Sequence, residues 1–76
     1  MCEANVFLLK NGAEEEIMKD VLALENRGDH LYLADLLGNE KQVRATIKYI
    51  DFGNHKVTLE DAYIQALKGR GDFEPV

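Results

Sequence analysis

The sequence is poor in cysteine, because Cys2 is the only thiol among its 76 residues. One cysteine cannot form a disulfide within the chain, which excludes the covalent staple of many small secreted domains. The sequence also lacks an apolar run of about 18 residues, so it contains no candidate transmembrane helix. No basic-then-apolar leader opens the chain, and we therefore expect a cytoplasmic protein.

Basic charge is also scarce, with nine Lys and Arg against fourteen Asp and Glu and a net charge of −5. The electrostatic field of this negative charge repels nucleic acid and anionic membranes unless the basic residues gather on one face. Enzyme signatures are missing as well: there is no Ser-His-Asp order, no glycine-rich phosphate loop and no paired-carboxylate motif. We expect a protein that is not an enzyme and does not bind membranes.

What is present is a globular composition, with 46% hydrophobic and 30% charged residues. A chain of this length forms one domain, near the lower size limit for a self-sufficient core. We place this domain at residues 1–68 and expect residues 69–76 to be a flexible tail. Because the core is small and has no disulfide, we expect a homodimer to supply extra stability.

Turn signals at short intervals predict a small β meander or barrel. Residues 4–10 have the β-branched and aromatic composition of a strand, and Asn11-Gly12 after them is the strongest short hairpin signal. Further strands are predicted at residues 30–36, 41–50 and 56–59. The alternation of apolar and polar residues is clearest within residues 41–50.

The segment of residues 13–25 allows two interpretations. Ile17, Val21 and Leu24 have helical spacing, and most residues around them are good helix formers, which favours a helix. The preceding Asn-Gly turn instead requires a returning strand, which gives two short strands at residues 15–18 and 21–25.

The end of the chain has the pattern of a short helix. Thr58 stands three residues before Asp61, the spacing of an N-cap followed by an acidic first turn. In such a helix Ala62, Ala66 and Leu67 face inward, and Gly69 ends it.

The most reactive residue, Cys2, has the chemistry of a metal ligand. Removal of Met1, which is expected before a small residue, leaves an α-amine and a thiol that close a five-membered chelate ring around a metal. The backbone amide of Glu3 offers another nitrogen, and two copies across a dimer axis would complete the site. Nitrogen and thiolate donors suit Ni(II) and Cu(II), and thiolate also suits Zn(II). The alternative is that Cys2 is only a small hydrophobic residue.

The two histidines, His30 and His55, both border predicted turns. Neither belongs to an H-x-x-H or C-x-x-C pattern, and a solvated turn histidine is the commoner role. The sequence does not specify which of them, if either, joins Cys2.

A second class of function rests on a basic and aromatic stripe. On a small barrel these side chains could form a face that binds single-stranded RNA, although they could equally be the exposed face of an amphipathic strand. The stripe comprises Lys41, Arg44, Lys48 and Lys56, with Tyr32, Tyr49 and Phe52 near it.

Met1-Cys2 leads directly into an apolar strand, and the runs IMKDVLALE, HLYLADLLG and IKYIDFGNHKVTLE follow. This arrangement, over about residues 1–59, resembles the CooT family of small nickel-binding proteins. That family is linked to maturation of the nickel-containing carbon monoxide dehydrogenase in anaerobic bacteria and archaea. The functionally specific residue of the resemblance is the cysteine at position 2.

The resemblance implies a small β-barrel, a homodimer and Ni(II) held through Cys2. It implies a metallochaperone-like role, with a nickel enzyme or another nickel chaperone as acceptor. Members have also been described as predicted RNA-binding proteins, which keeps that alternative open.

For the fold, the resemblance implies strands at residues 15–18 and 21–25. The expected fold is mainly β: a small antiparallel β-barrel or meander of about six short strands, with a short C-terminal helix. Its expected core consists of Val6, Leu8, Leu31, Leu33, Val43 and Ile47.

Overall fold

The computed structural model describes residues 3–61, which form six strands in one sheet. The strands are β1 (Ala4–Lys10), β2 (Ala13–Asn26), β3 (Leu31–Asp35), β4 (Glu40–Val43), β5 (Ala45–Asp51) and β6 (Lys56–Asp61). Cys2, the helix predicted through Ala62, Ala66 and Leu67 to Gly69, and the boundary between domain and tail at residue 68 lie outside the described residues. Within residues 3–61 there is no helix long and apolar enough to cross a membrane.

The mainly-β prediction with six strands is confirmed, but the sheet is neither wholly antiparallel nor closed into a barrel. Its order is β4-β3-β2-β1-β6-β5, with β4 and β5 at the edges. β1 and β6 run parallel, with Asn5 paired to Lys56, and the other neighbours are antiparallel. Turn residues specify only local antiparallel hairpins, so they gave no sign of this long-range parallel pair.

The first hairpin forms as its turn residues predict. Asn11 and Gly12 have φ angles of 53° and 81°, the left-handed values that a type I′ turn requires at both central positions. Lys10 and Ala13 pair on either side of the turn. The chain therefore returns as a strand, and the helix favoured by composition for residues 13–25 is wrong.

Irregularities in β2 explain why its apolar residues have helical spacing. From Val6 back to Ala4, β1 advances two residues while β2 advances three, from Met18 to Val21. Further irregularities lie beside Met18 and between Val21 and Ala23. These β-bulges bring residues three apart to the same face, which imitates the period of a helix. The two short strands predicted here are parts of this one bulged strand.

The strand predicted for residues 41–50 is divided at Arg44. Its first part, β4, pairs with β3 and its second part, β5, pairs with β6. The chain thus passes from one edge of the sheet to the other at a single residue. Thr58 is not a helix N-cap, because it lies within β6 and is only 4% exposed.

The core forms where the inward faces of the strands meet. Val6, Leu31 and Leu33 are buried as predicted, and Leu8 and Val43 are partly buried against them. Ile47 was predicted in the core but is 41% exposed, because it lies on edge strand β5 with nothing described covering it. The remaining buried apolar residues are Met18, Val21, Ala45, Val57 and Leu59.

Leu59 and Ile47 form a cross-strand pair that tests this burial pattern. Leu59→Ala removes a fully buried side chain from between β1 and β5 and should destabilise the fold by about 2–5 kcal/mol. Ile47→Ala is the matched control and should cost only about 1 kcal/mol. Urea unfolding of both variants measures the difference, and equal losses would contradict the exposed position of Ile47.

Candidate metal site at the N-terminal strand

The first strand, which begins at Ala4, lies in the middle of the sheet. β1 lies between β2 and β6, with Ala4 paired to Val21 and Asn5 to Lys56. The Asn5 amide also donates to the His55 carbonyl at 2.8 Å.

A polar pocket lies beside the start of β1 and is lined by Glu3, Asn5, Asp20 and His55. The Asp20 amide donates to Oδ1 of Asn5 at 3.2 Å, which joins β2 to β1 at this point. Oε1 of Glu3 is buried and has no hydrogen-bond partner among the described residues. A buried carboxylate oxygen without a partner is costly, so this pocket favours a bound cation or hydrogen-bond donor.

Two residues of this pocket have unusual backbone conformations. Asp20 and His55 both have a φ of 52°, in the left-handed region that non-glycine residues seldom adopt. The left-handed conformation of Asp20 lies within the bulged stretch of β2. In His55 it ends the β5–β6 turn, where the His55 amide donates to the Phe52 carbonyl at 3.3 Å. Both residues therefore stand at points where the backbone departs from regular strand geometry.

Asp51 organises the turn that carries His55. Its carboxylate accepts hydrogen bonds from the Asn54 amide at 3.2 Å and from Asn54 Nδ2 at 2.8 Å. These hydrogen bonds lower the pKa of Asp51 below its ordinary value. The charged carboxylate thus holds the turn that places His55 beside Glu3.

The structure separates the two candidate histidines. His55 lines the pocket with Glu3, and its ring has no hydrogen bond to any residue within the described range. His30 lies at the β2–β3 connection, where its Nδ1 lies 2.8 Å from Oδ1 of Asp29 and lowers the pKa of that carboxyl. Of the two histidines, His55 contacts the N-terminal strand, through its backbone carbonyl.

The described residues do not form a metal site by themselves. Within residues 3–61 there is no group of three His, Cys, Asp or Glu side chains that could hold a metal ion. Glu3 and His55 can contribute to a site only with donors from elsewhere. The only thiol in the chain belongs to Cys2, which lies outside the described residues.

An apolar groove of about 540 Å³ adjoins the polar pocket, and Ala4 and His55 border it. Its wall includes four large hydrophobic side chains with exposed fractions between 41% and 83%. They are Leu22, Ile47, Ile50 and Phe52. Contiguous exposed apolar surface of this kind is typical of protein interfaces.

Part of the basic and aromatic stripe is engaged within the chain. Arg27 stacks over the Tyr32 ring at 4.1 Å, and the Tyr32 hydroxyl donates to Glu40 at 2.6 Å. Nζ of Lys56 lies 2.8 Å from a Glu14 carboxylate oxygen. Arg44 also pairs with Asp29 at 3.7 Å, so two of the four predicted cations are ion-paired and one predicted stacking ring is covered on one face. These contacts lend no support to an RNA-binding face.

Comparison with known proteins agrees with this architecture. Residues 1–60 match the family described as CO dehydrogenase accessory protein CooT. An uncharacterized protein of Methanocaldococcus jannaschii is 37% identical over 60 residues, which cover 79% of this chain and 98% of that protein. The crystal structure of a protein described as CooT from Carboxydothermus hydrogenoformans superposes with a TM-score of 0.75 at 30% identity, covering 79% of this chain and 97% of the other.

The chain therefore belongs to the CooT family of carbon monoxide dehydrogenase accessory proteins. This confirms the resemblance noted in the sequence and the small β fold that it implied. An accessory protein assists an enzyme and is not itself the catalyst, which agrees with the missing enzyme motifs.

The sequence indicated Glu3 through its backbone nitrogen and left His55 undecided beside His30, and it did not single out Asn5 or Asp20. Asn5 enters the pocket because β1 lies beside both the bulge of β2 and the β5–β6 turn. Asp20 enters it through the bulge itself. An isolated polar residue within a predicted strand is the only signal for Asn5, and no pattern marks Asp20.

Acid titration tests the role of Asp51. Because its folded pKa is lowered, its contribution to stability is complete above the pKa of the unfolded chain, about 3.9. It is lost as the pH falls through the lower folded value. We expect a carboxyl ¹³C titration midpoint for Asp51 below 3.8. The Asp51→Asn variant should lack this part of the acid-dependent loss of stability, and a normal midpoint for Asp51 would contradict the proposed hydrogen bonding.

Proposed function

We propose that this protein is a nickel-binding accessory protein that holds or delivers Ni(II) through Cys2. The acceptor would be a nickel enzyme such as carbon monoxide dehydrogenase, or another nickel chaperone. The observation that supports the proposal is the start of β1, which is paired on both sides and adjoins a pocket that contains an unpartnered Glu3 oxygen. Membership of a family of carbon monoxide dehydrogenase accessory proteins supports the maturation role.

The chemistry of the proposed site follows from one residue. Once Met1 is removed, the Cys2 amine and thiolate chelate the ion, and the Glu3 backbone nitrogen is a further donor. Nickel binding requires the deprotonated thiol, so affinity rises with pH until the thiol is fully ionised. Ligands at the end of a chain are accessible, which suits transfer to an acceptor by ligand exchange.

A second copy of the chain would complete the coordination sphere and cover the apolar groove. The groove begins at Ala4, so a symmetric contact there would bring two N-terminal segments close together. It would also bury Ile50 and Phe52, which are exposed in the single chain. The proposed homodimer and the proposed nickel site therefore use the same end of the sheet.

Removal of the thiol tests the site directly. In untagged protein without Met1, Ni(II) should produce a saturable thiolate-to-nickel charge-transfer band in the near ultraviolet. Cys2→Ala should abolish the band while the circular dichroism and thermal unfolding stay as in the wild type. The nickel stoichiometry distinguishes one ion per dimer from one per chain. A band of equal strength in the variant would overturn the proposal.

An N-terminal extension tests the α-amine separately. A Gly-Ser extension before Cys2 converts the amine to an amide without changing the thiol or the fold. We expect loss of the high-affinity site, since the five-membered chelate needs the free amine. Unchanged nickel affinity in mass-verified extended protein would exclude the amine as a ligand.

If the apolar groove is the dimer interface, one substitution within it should weaken dimerisation. Phe52→Glu places a charge in the groove and should weaken dimerisation at least about tenfold. Leu37→Glu is the matched control, because Leu37 is 85% exposed and lies outside the groove. Sedimentation equilibrium measures both. A wild-type protein that stays monomeric at all concentrations, or equal effects of the two substitutions, would contradict the proposed interface.

A further inference from the structure

We propose that the turn between β3 and β4 is a docking element for the enzyme that this accessory protein assists, with Leu36 and Leu37 as its apolar contacts. The inference rests on the proposed function, in which the acceptor is a nickel enzyme such as carbon monoxide dehydrogenase. It commits to a binding site of stated chemistry on that enzyme: an apolar pocket whose rim is basic.

The first argument is the exposure of two adjacent leucines at one turn. Leu36 is 51% exposed and Leu37 is 85% exposed, the largest exposed fraction among the large hydrophobic residues of the described part of the chain. Most of the other exposed large hydrophobic side chains line the apolar groove, whereas neither leucine borders it. The dimer contact proposed at the groove therefore does not account for these two side chains.

The second argument is that the turn forms without the leucine side chains. Oδ1 of Asp35 accepts the amides of Leu37 at 3.0 Å and Asn39 at 2.8 Å, and Oδ2 accepts Asn39 Nδ2 at 2.9 Å. Gly38 supplies the left-handed backbone conformation, with a φ of 92°. Because these contacts determine the turn, polar residues at positions 36 and 37 would be compatible with it. Burial in a partner gives a physical reason for leucine at both positions.

The same hydrogen bonds hold the two leucines in one arrangement. The Asp35 amide donates to the Asn39 carbonyl at 3.0 Å, and the Leu36 amide donates to the Asp20 carbonyl at 2.9 Å, which attaches the turn to β2. The Asn39 side chain, together with backbone amides of the turn, lowers the pKa of Asp35, so this carboxylate is charged at neutral pH. A preorganised loop loses less conformational entropy on binding than a flexible one, which favours its use as a contact element.

The attachment to β2 also locates the turn in the fold. The Asp20 residue that accepts the Leu36 amide donates its own amide to Oδ1 of Asn5 at 3.2 Å. Asn5 is the second residue of β1, so the turn lies at the end of the sheet where β1 begins. An enzyme bound at this turn would therefore meet the end of the protein that contains the polar pocket.

Carboxylates around the turn determine the chemistry of the partner's rim. Asp35 and Glu40 flank the turn and Asp20 is hydrogen-bonded to it. None of the three forms an ion pair with a lysine or arginine within residues 3–61. The adjoining cations in the sequence are Lys41 and Lys19, and Lys19 already pairs with a glutamate at 3.9 Å. Such an acidic surround favours a basic partner and disfavours an acidic one.

The test is calorimetric titration of untagged protein into nickel-free carbon monoxide dehydrogenase from the same organism. Leu37→Ser removes the apolar contact but keeps the backbone amide that Asp35 accepts, and it should weaken binding at least about tenfold. Tyr49→Ser is the matched control, because Tyr49 is also exposed and lies outside both the turn and the groove. It should bind as the wild type does. Binding should also weaken as ionic strength rises.

Nickel titrations of the same samples separate this inference from the proposed function. Leu37→Ser should keep the thiolate-to-nickel band and the thermal unfolding of the wild type. Cys2→Ala should lose the band and still bind the nickel-free enzyme. A wild type that lacks the band but binds the enzyme through Leu37 would refute the nickel site and leave the docking element intact.

Three results would overturn the proposal. Wild-type affinity in Leu37→Ser, or no binding of the wild type, would exclude the turn as a contact for this enzyme. A changed oligomeric state of Leu37→Ser in sedimentation equilibrium would assign the turn to a second copy instead. Nuclear Overhauser contacts between the Leu37 methyl groups and residues 62–76 in the free protein would assign it to the end of the same chain.

Discussion

The position of β1 in the centre of the sheet is the constraint on which the candidate site depends. Chain termini are often loose, but here pairing begins at residue 4 and engages both sides of the strand. The parallel contact with β6 also determines which turn meets the N-terminal segment, because it places His55 next to Asn5.

The irregularities of β2 lie at the same end of the molecule as the candidate site. Its bulges allow one 14-residue strand to pair first with β1 and then with β3, and they direct Met18 and Val21 into the core. The left-handed conformation at Asp20 lies within this stretch, and its amide is bonded to Asn5. The residues that bend the sheet therefore also form the wall of the polar pocket. Packing and the candidate site are consequences of one backbone feature.

Local signals predicted the strands and turns well, and long-range pairing lay beyond them. Asn11-Gly12 specified its hairpin because both residues accept positive φ. The helix predicted for residues 13–25 is wrong because bulges give this strand the spacing of a helix. Only the pairing with β1 reveals the bulges. The prediction that Ile47 lies in the core is wrong for a related reason. Alternation shows which face of a strand is apolar but not whether another part of the chain covers that face. Cys2 and the Glu3 backbone nitrogen stay predictions from ligand chemistry, whereas the position of His55 beside Asn5 depends on the parallel β1–β6 contact.

The central claim is that nickel is bound by sulfur and nitrogen from the N-terminal cysteine. X-ray absorption at the nickel edge tests it most directly, because sulfur and lighter ligands scatter differently. The sample is untagged protein loaded with less than one equivalent of Ni(II), with removal of Met1 verified by mass. The account predicts a sulfur scatterer together with nitrogen scatterers in the first shell. A shell of only oxygen or nitrogen scatterers would contradict it.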